Sequence, residues 1–211
     1  MSSNMKRIVC KILVFAMICL LLVPTFAGCA RESADEMLHI AAEQLEKTKT
    51  VNAICFGKGL TPGEEGGYQL SGYAEATVES RAAFGVDTVE EIFALMRECY
   101  STAACDYIDT VVFNPVKEES TFASFSRYFD AMDGKDNVCL MVKKGYTPLS
   151  YGDVSYANIR LEKHTRSRAT VLVDVTVTEG ELSRTDKNIK LDLRYEDGVW
   201  KFDTLTYASI R

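Results

Sequence analysis

The residues that could carry chemistry are two histidines, four mid-chain cysteines, one cysteine near the N-terminus and a short run of aspartates. An imidazole acts as a general base when a nucleophile or an orienting carboxylate stands within reach. Neither His39 nor His164, the latter in Lys163-His164-Thr165-Arg166, has a Ser, Cys or Asp partner at a recognisable spacing. His164 reads as a solvated turn residue, and His39 as one that flanks the core or faces water. No Gly-x-Ser-x-Gly elbow, Ser-x-x-Lys pair or His-Glu-x-x-His helix is present. Asp130, Asp133 and Asp136 with Gly134 approach a calcium loop. That loop needs acids at positions 1, 3 and 5 and Gly at 6, so a polar turn is the simpler reading. Glu90 and Glu91 are adjacent carboxylates, but Glu90 is expected to cap a helix. No residue is therefore expected to serve in catalysis, metal binding or cofactor binding. Tyr146, Tyr151 and Tyr156 gather near Pro148. Tyrosine is enriched in recognition patches, and lining a sheet edge is the equally open alternative.

Cys29 has the clearest context. Lys6, Arg7 and Lys11 make a positive start, and Ile12 to Val23 is an uncharged apolar run of twelve residues. That is the layout of a secretory signal, too short for a permanent span of about 20 residues. Phe26-Ala27-Gly28-Cys29 then resembles the lipobox of bacterial lipoproteins. The resemblance implies that the Cys29 thiol takes a diacylglycerol, that residues 1–28 are removed as a type II signal peptide, and that acyl chains such as palmitate anchor the product. Two chains hold stably where one is marginal. Phe26 departs from the usual Leu, and an ordinary secretory signal with a chance cysteine is the alternative. The expected address is the extracytoplasmic face of the bacterial cell membrane. Residues 29–32 would be a short lipidated tether reaching about 14 Å at most.

Losing the leader removes Lys6, Arg7 and Lys11 and no acid, which takes the net charge from −6 to −9. That argues against nucleic acid or anionic lipid as partners. Cys55, Cys99, Cys105 and Cys139 then remain beside Cys29. Export permits disulfides, and four buried free thiols are the alternative. Cys99 and Cys105 would stand about 9 Å apart on one straight helix, beyond disulfide reach. They could pair only if the helix ended between them.

The elements that position these groups follow from periodicity. Ser33 and Glu36 form a capping-box pattern before an apolar stripe from Ala34 to Leu45, which predicts a helix over 34–48 packed on the domain. Residues 57–67 hold five glycines and Pro62, a flexible loop without phosphate-loop context. Residues 68–78 read as a strand, with Tyr68, Leu70, Gly72, Ala74 and Ala76 on one face. Asp87 and Glu90 suggest a second capping box before Val89, Ile92, Phe93, Met96 and Cys99. Residues 106–113 are helix or strand. Phe122, Phe125, Phe129 and Met132 suggest a short helix. Strands are expected at 138–143, 154–163, 171–177 and 189–195, with a tight hairpin at Asp197-Gly198. The expected class is α+β: helices first, then a curved antiparallel meander, with a small second lobe, as one domain over 33–211.

Three segments carry a family resemblance. They are Phe84-Gly85-Val86-Asp87-Thr88-Val89-Glu90-Glu91-Ile92 with Cys99-Tyr100-Ser101, Met132-Asp133-Gly134-Lys135, and Leu193 to Asp203 with Tyr195-Glu196-Asp197-Gly198-Val199-Trp200-Lys201-Phe202. Their order over residues 68–207 resembles the IseA-type DL-endopeptidase inhibitors of Gram-positive bacteria. That resemblance implies a non-enzymatic monomer that binds a cell-wall hydrolase of the NlpC/P60 kind. Members are often secreted free, so an anchor departs from the pattern, and no inhibitory contact residue carries over. The Asp-Gly-x-Trp-Lys-x-Asp ending is also similar to NTF2-like domains, which implies a small-ligand pocket as the alternative. An uncharacterised cell-envelope enzyme is a second alternative.

Overall fold

The computed structural model describes residues 32–64, 67–113, 126–147 and 153–206. Residues from Ala34 onward form one compact unit. It opens with α1 (Ala34–Cys55), longer than the sequence pattern predicts. Lys47 to Thr50 reads as a polar stop, yet Thr48 and Asn52 turn inward and are fully buried. Two stripes share the buried side of α1: the apolar Met37, Ala41 and Leu45, and the polar Gln44, Thr48 and Asn52, each spaced four apart. Buried polar partners therefore let the helix run on where a purely apolar pattern ends.

Residues 68–78 do not form one strand. Gly72 (φ +77°) turns the chain between β1 (Gln69–Leu70) and β2 (Tyr73–Glu75), so the expected single face is folded back on itself. Thr77 then caps α2 (Val78–Phe84), which ends at Gly85 in the left-handed region (φ 66°). The second capping box is real but one residue later than predicted. Thr88 caps α3 (Val89–Cys99) and Glu91 returns the bond, while Glu90 pairs with Arg97 instead. Asp130 adds a second anion at that helix start, accepting from the Val89 N–H at 3.0 Å. Ile92, Met96 and Cys99 face the core.

The helix ends at Cys99, Tyr100 is extended, and Ser101 caps α4 (Thr102–Ile108). A π-helical turn follows at Asp109–Phe113, so the 106–113 segment is helical throughout. The predicted helix through Phe129 and Met132 is instead β3 (Tyr128–Met132). Tyr128 faces the main core while Phe129 stacks edge-on against Tyr73 at 4.8 Å on the other side. Alternation, not a helical stripe, spaces those aromatics. Phe122 and Phe125 lie outside the described residues.

β4 (Val138–Lys143) pairs between β2 and β3, giving a sheet in the order β1-β2-β4-β3. Its Leu140 and Val142 enter the main core, while Cys139 and Met141 join a small cluster with Tyr73. Burial on both faces explains its unbroken apolar run. The meander is a second sheet: β5 (Asp153–His164), β6 (Arg168–Glu179), β7 (Leu182–Glu196) and β8 (Val199–Phe202), all antiparallel. Asp197 (φ 54°) and Gly198 (φ 85°) make the tight turn expected of that pair. The class is thus α+β, with the strands divided between two open four-stranded sheets. Ala169, Val171, Val173, Val175, Leu191, Leu193, Trp200 and Phe202 form the buried face of the meander, in one cluster with α1, α3 and α4.

Asp174 fastens the middle of this sheet. It accepts from Asn158 Nδ2 on β5 at 2.8 Å and from the Asn188 N–H on β7 at 2.9 Å. Both asparagines are left-handed (φ 52° and 58°), and the register slips on both sides of Asp174. Two bulges are thus held level across three strands. On the edge strand β5 a second slip falls between Leu161 and Lys163.

Several carboxylates tie the fold to pH. The Asn158 amide and Asn188 N–H hold Asp174 below the ordinary range. Asn137 and the Lys135 N–H do so for Asp133. For Asp203 burial pushes upward, but the Ser101 hydroxyl and the Arg194 guanidinium outweigh it and the net shift is down. A depressed carboxyl contributes stability that is present above its unfolded value, about 4, and is lost as pH falls through the folded one. Asp130, raised mainly by burial, works in the opposite sense. The urea midpoint should therefore hold between about pH 7 and pH 5 and drop only below about pH 4. Asp174→Asn should shrink that drop. A midpoint already falling by pH 5 would contradict this assignment.

Candidate functional site

Cys29 lies outside the described residues. The two histidines are far from any shared task. His39 is exposed on α1 and pairs with Glu43 at 3.2 Å. His164 is not a free turn residue. It ends β5 half-buried, with its ring 5.6 Å from that of Trp200. Cross-strand pairing also sets the Tyr195 ring 5.5 Å from that of Trp200. The Asp130, Asp133 and Asp136 run is the polar turn between β3 and β4. Asp133 accepts from the Lys135 N–H (2.7 Å), the Asn137 N–H (3.0 Å) and Asn137 Nδ2 (2.9 Å), while Asp130 caps α3. Among the described residues no three acids, histidines or cysteines gather as metal ligands.

The helix break between Cys99 and Cys105 meets the condition for a bridge, yet Cys55, Cys99, Cys105 and Cys139 are all free and buried. Burial pushes the Cys55 thiol up to about 12 and Cys105 to about 11, and it raises Cys99 further. The thiolate is the reactive form, so these thiols are inert. Alkylation at pH 8 should modify none of the four in the folded protein and all four in guanidinium. Fewer than four after unfolding would reveal a disulfide.

The tyrosine group divides. Tyr156 points from β5 into the core, with Lys49 Nζ 5.7 Å from its ring centre, and Tyr151 lies outside the described residues. Tyr146 sits half-exposed on the turn after β4. Its ring centre is 4.0 Å from the guanidinium carbon of Arg127.

Arg127 was not singled out by sequence reasoning. It stands just before β3 and is only 2% exposed, among the largest fully buried side chains. Its Nη2 donates to the carbonyls of Gly57 (2.7 Å) and Lys58 (2.8 Å), just beyond the end of α1. The last turn of α1 has no basic residue. Arg127 therefore brings a cation from another element to the negative end of that helix dipole. Tyr128 assists: its hydroxyl donates to Ile54 O (2.8 Å) and accepts from the Leu60 N–H (3.2 Å), and its ring lies 5.1 Å from the guanidinium. Among the described residues no ion pair joins Arg127 to a carboxylate, and none offers its buried Nε and Nη1 a hydrogen bond. A lone Arg inside the aromatic run Phe122 to Phe129, opposite a glycine-rich loop, was the available signal.

A second buried polar group joins α1 to the chain after β8. Asn52 Nδ2 donates to Thr206 Oγ1 (2.7 Å), and the Tyr100 hydroxyl donates to Asn52 Oδ1 (2.7 Å). Tyr100 and Thr206 also meet at 2.8 Å, and Thr206 donates to Thr48 Oγ1 at 3.0 Å. Thr48 in turn donates to Leu45 O. This group holds no acid, base or cation, so its role is to fasten elements.

A scan against protein-family models finds no match, and a search of curated proteins finds none significantly similar.

Proposed function

We propose that this chain is a non-catalytic binding module, held by lipid on the outer face of the bacterial cell membrane, that restrains a peptidoglycan hydrolase of the NlpC/P60 kind. The observation that carries the reading is the basic, then apolar leader ending in Phe26-Ala27-Gly28-Cys29, only five residues before α1 begins at Ala34. A diacyl group on Cys29 would keep the folded unit at the membrane surface, facing the wall. The hydrolase assignment rests on the three resembling segments. Met132-Asp133-Gly134-Lys135 lies at the tip of the β3–β4 hairpin, where the register partners Met132 and Val138 are 56% and 49% exposed. Leu193 to Asp203 includes the β7–β8 hairpin, which exposes Tyr195 and Val199. Solvent-facing apolar side chains on these hairpins suit contact with a protein.

The alternative, an NTF2-like carrier, calls for an open pocket on the inner face of the meander. That face packs its valines, Leu191 and Leu193 in one cluster with Met37, Leu45 and Ile54 of α1, which supports the first reading over it.

The test uses the acylated full chain in membrane vesicles. Purified NlpC/P60 enzymes should be retained by the vesicles and should digest cell walls more slowly in their presence. Neither retention nor slowing would end the hydrolase assignment. Labelled palmitate should enter the wild type and not Cys29→Ala, and equal labelling of both would end the anchor assignment.

A further inference from the structure

We infer that Arg127 is the core of a binding site for a carboxylate group, entered past the ring of Tyr146. This goes beyond the hydrolase reading and does not depend on it.

A guanidinium stays charged at every accessible pH, so burial cannot neutralise it. A buried cation is held without large cost only when its donors are met and its charge is balanced. Here the α1 end meets one nitrogen, Nη2, through Gly57 O and Lys58 O. Among the described residues Nε and Nη1 are buried with no hydrogen-bond partner. Two acceptors are thus missing from one cation, and carbonyl dipoles supply only a fraction of a balancing charge.

The surroundings select the shape of what fills that place. The rings of Tyr146 and Tyr128 lie over the guanidinium at 4.0 and 5.1 Å. The donors point within the guanidinium plane, so an acceptor must arrive edge-on. A carboxylate oxygen does that at Nε or at Nη1, which lie on different edges, and its hydrogen bonds to Arg are charge-assisted. The Nη2 side is closed by close packing: a Cβ on Gly59 would stand 2.3 Å from Nη2 and 2.1 Å from the Tyr128 hydroxyl. Entry falls to Tyr146 because it is half-exposed, on a turn set by Gly145 (φ +68°). Tyr128, by contrast, is held by its bonds to Ile54 and Leu60.

The experiment follows thermal unfolding of the full chain in detergent, by circular dichroism, against acetate and N-acetylglycine. Chloride at equal ionic strength is the baseline. A ligand that binds only the folded state raises Tm by mass action. The wild type should show a saturable rise of about 2–4 °C with both carboxylates once they exceed their dissociation constants several-fold. Phosphate should give no comparable rise. Arg127→Lys keeps a cation for the α1 end but places no donor where Nε and Nη1 stand, so it should fold and lose the rise. Arg127→Met should lose it too. No rise above chloride, an equal rise in Arg127→Lys, or an equal rise with phosphate would each overturn the inference.

Discussion

Gly59→Ala should destabilise the protein by about 3–5 kcal/mol, one of the largest single-residue losses available to it. Two costs combine. Gly59 is left-handed (φ +64°), a conformation that costs other L-residues about 1–2 kcal/mol. The added methyl would also stand 2.1 Å from the Tyr128 hydroxyl and 2.3 Å from Arg127 Nη2. Neither atom can withdraw freely. Tyr128 is bonded to Ile54 and Leu60, and Arg127 to Gly57 and Lys58. Displacing them breaks buried hydrogen bonds at about 1–3 kcal/mol each. Gly180→Ala is the control. It has a similar φ (+60°) with nothing within 4 Å, so only the backbone cost of about 1–2 kcal/mol applies. Urea unfolding of both variants separates the terms, and equal losses would mean that the loop opens away from Arg127.

Asn52→Leu should cost about 3 kcal/mol, because it leaves Tyr100 and Thr206 short of a partner in a place water does not reach. Tyr100→Phe should cost less, about 1–2 kcal/mol, since Asn52 and Thr206 remain bonded to each other. The two losses should not add. Tyr100 and Asn52 share one network, so the double variant should lose less than both singles together. Strict additivity in urea titrations would show that the hydroxyl and the amide act separately.

These positions also show where the sequence was legible. The meander was readable because alternating Val171, Val173 and Val175 have one buried face, and because Asp197-Gly198 admits few backbone shapes. Helix α3 was readable from Ile92, Met96 and Cys99, although its start moved one residue. Thr88 and Glu91 outcompete Asp87 and Glu90 for the same exposed N–H groups. The end of α1 was hidden because Thr48 and Asn52 are stabilised by Tyr100 and Thr206, residues roughly 50 to 160 positions away. Phe129 misled because Phe122, Phe125, Phe129 and Met132 fall at helical spacing, while in β3 the neighbours Tyr128 and Phe129 enter two different clusters. Arg127 offered only a weak local signal for the same reason as Asn52: its partners, Gly57, Lys58 and Tyr146, belong to other segments.

The slips along β5 bear on how copies of this protein coexist. A twelve-residue edge strand would ordinarily template another strand when copies of the protein collide. The breaks at Ala157–Arg160 and Leu161–Lys163 cut that margin into short stretches that no straight strand can zip along. Crowding should therefore leave the molecules separate, each free to meet a different neighbour.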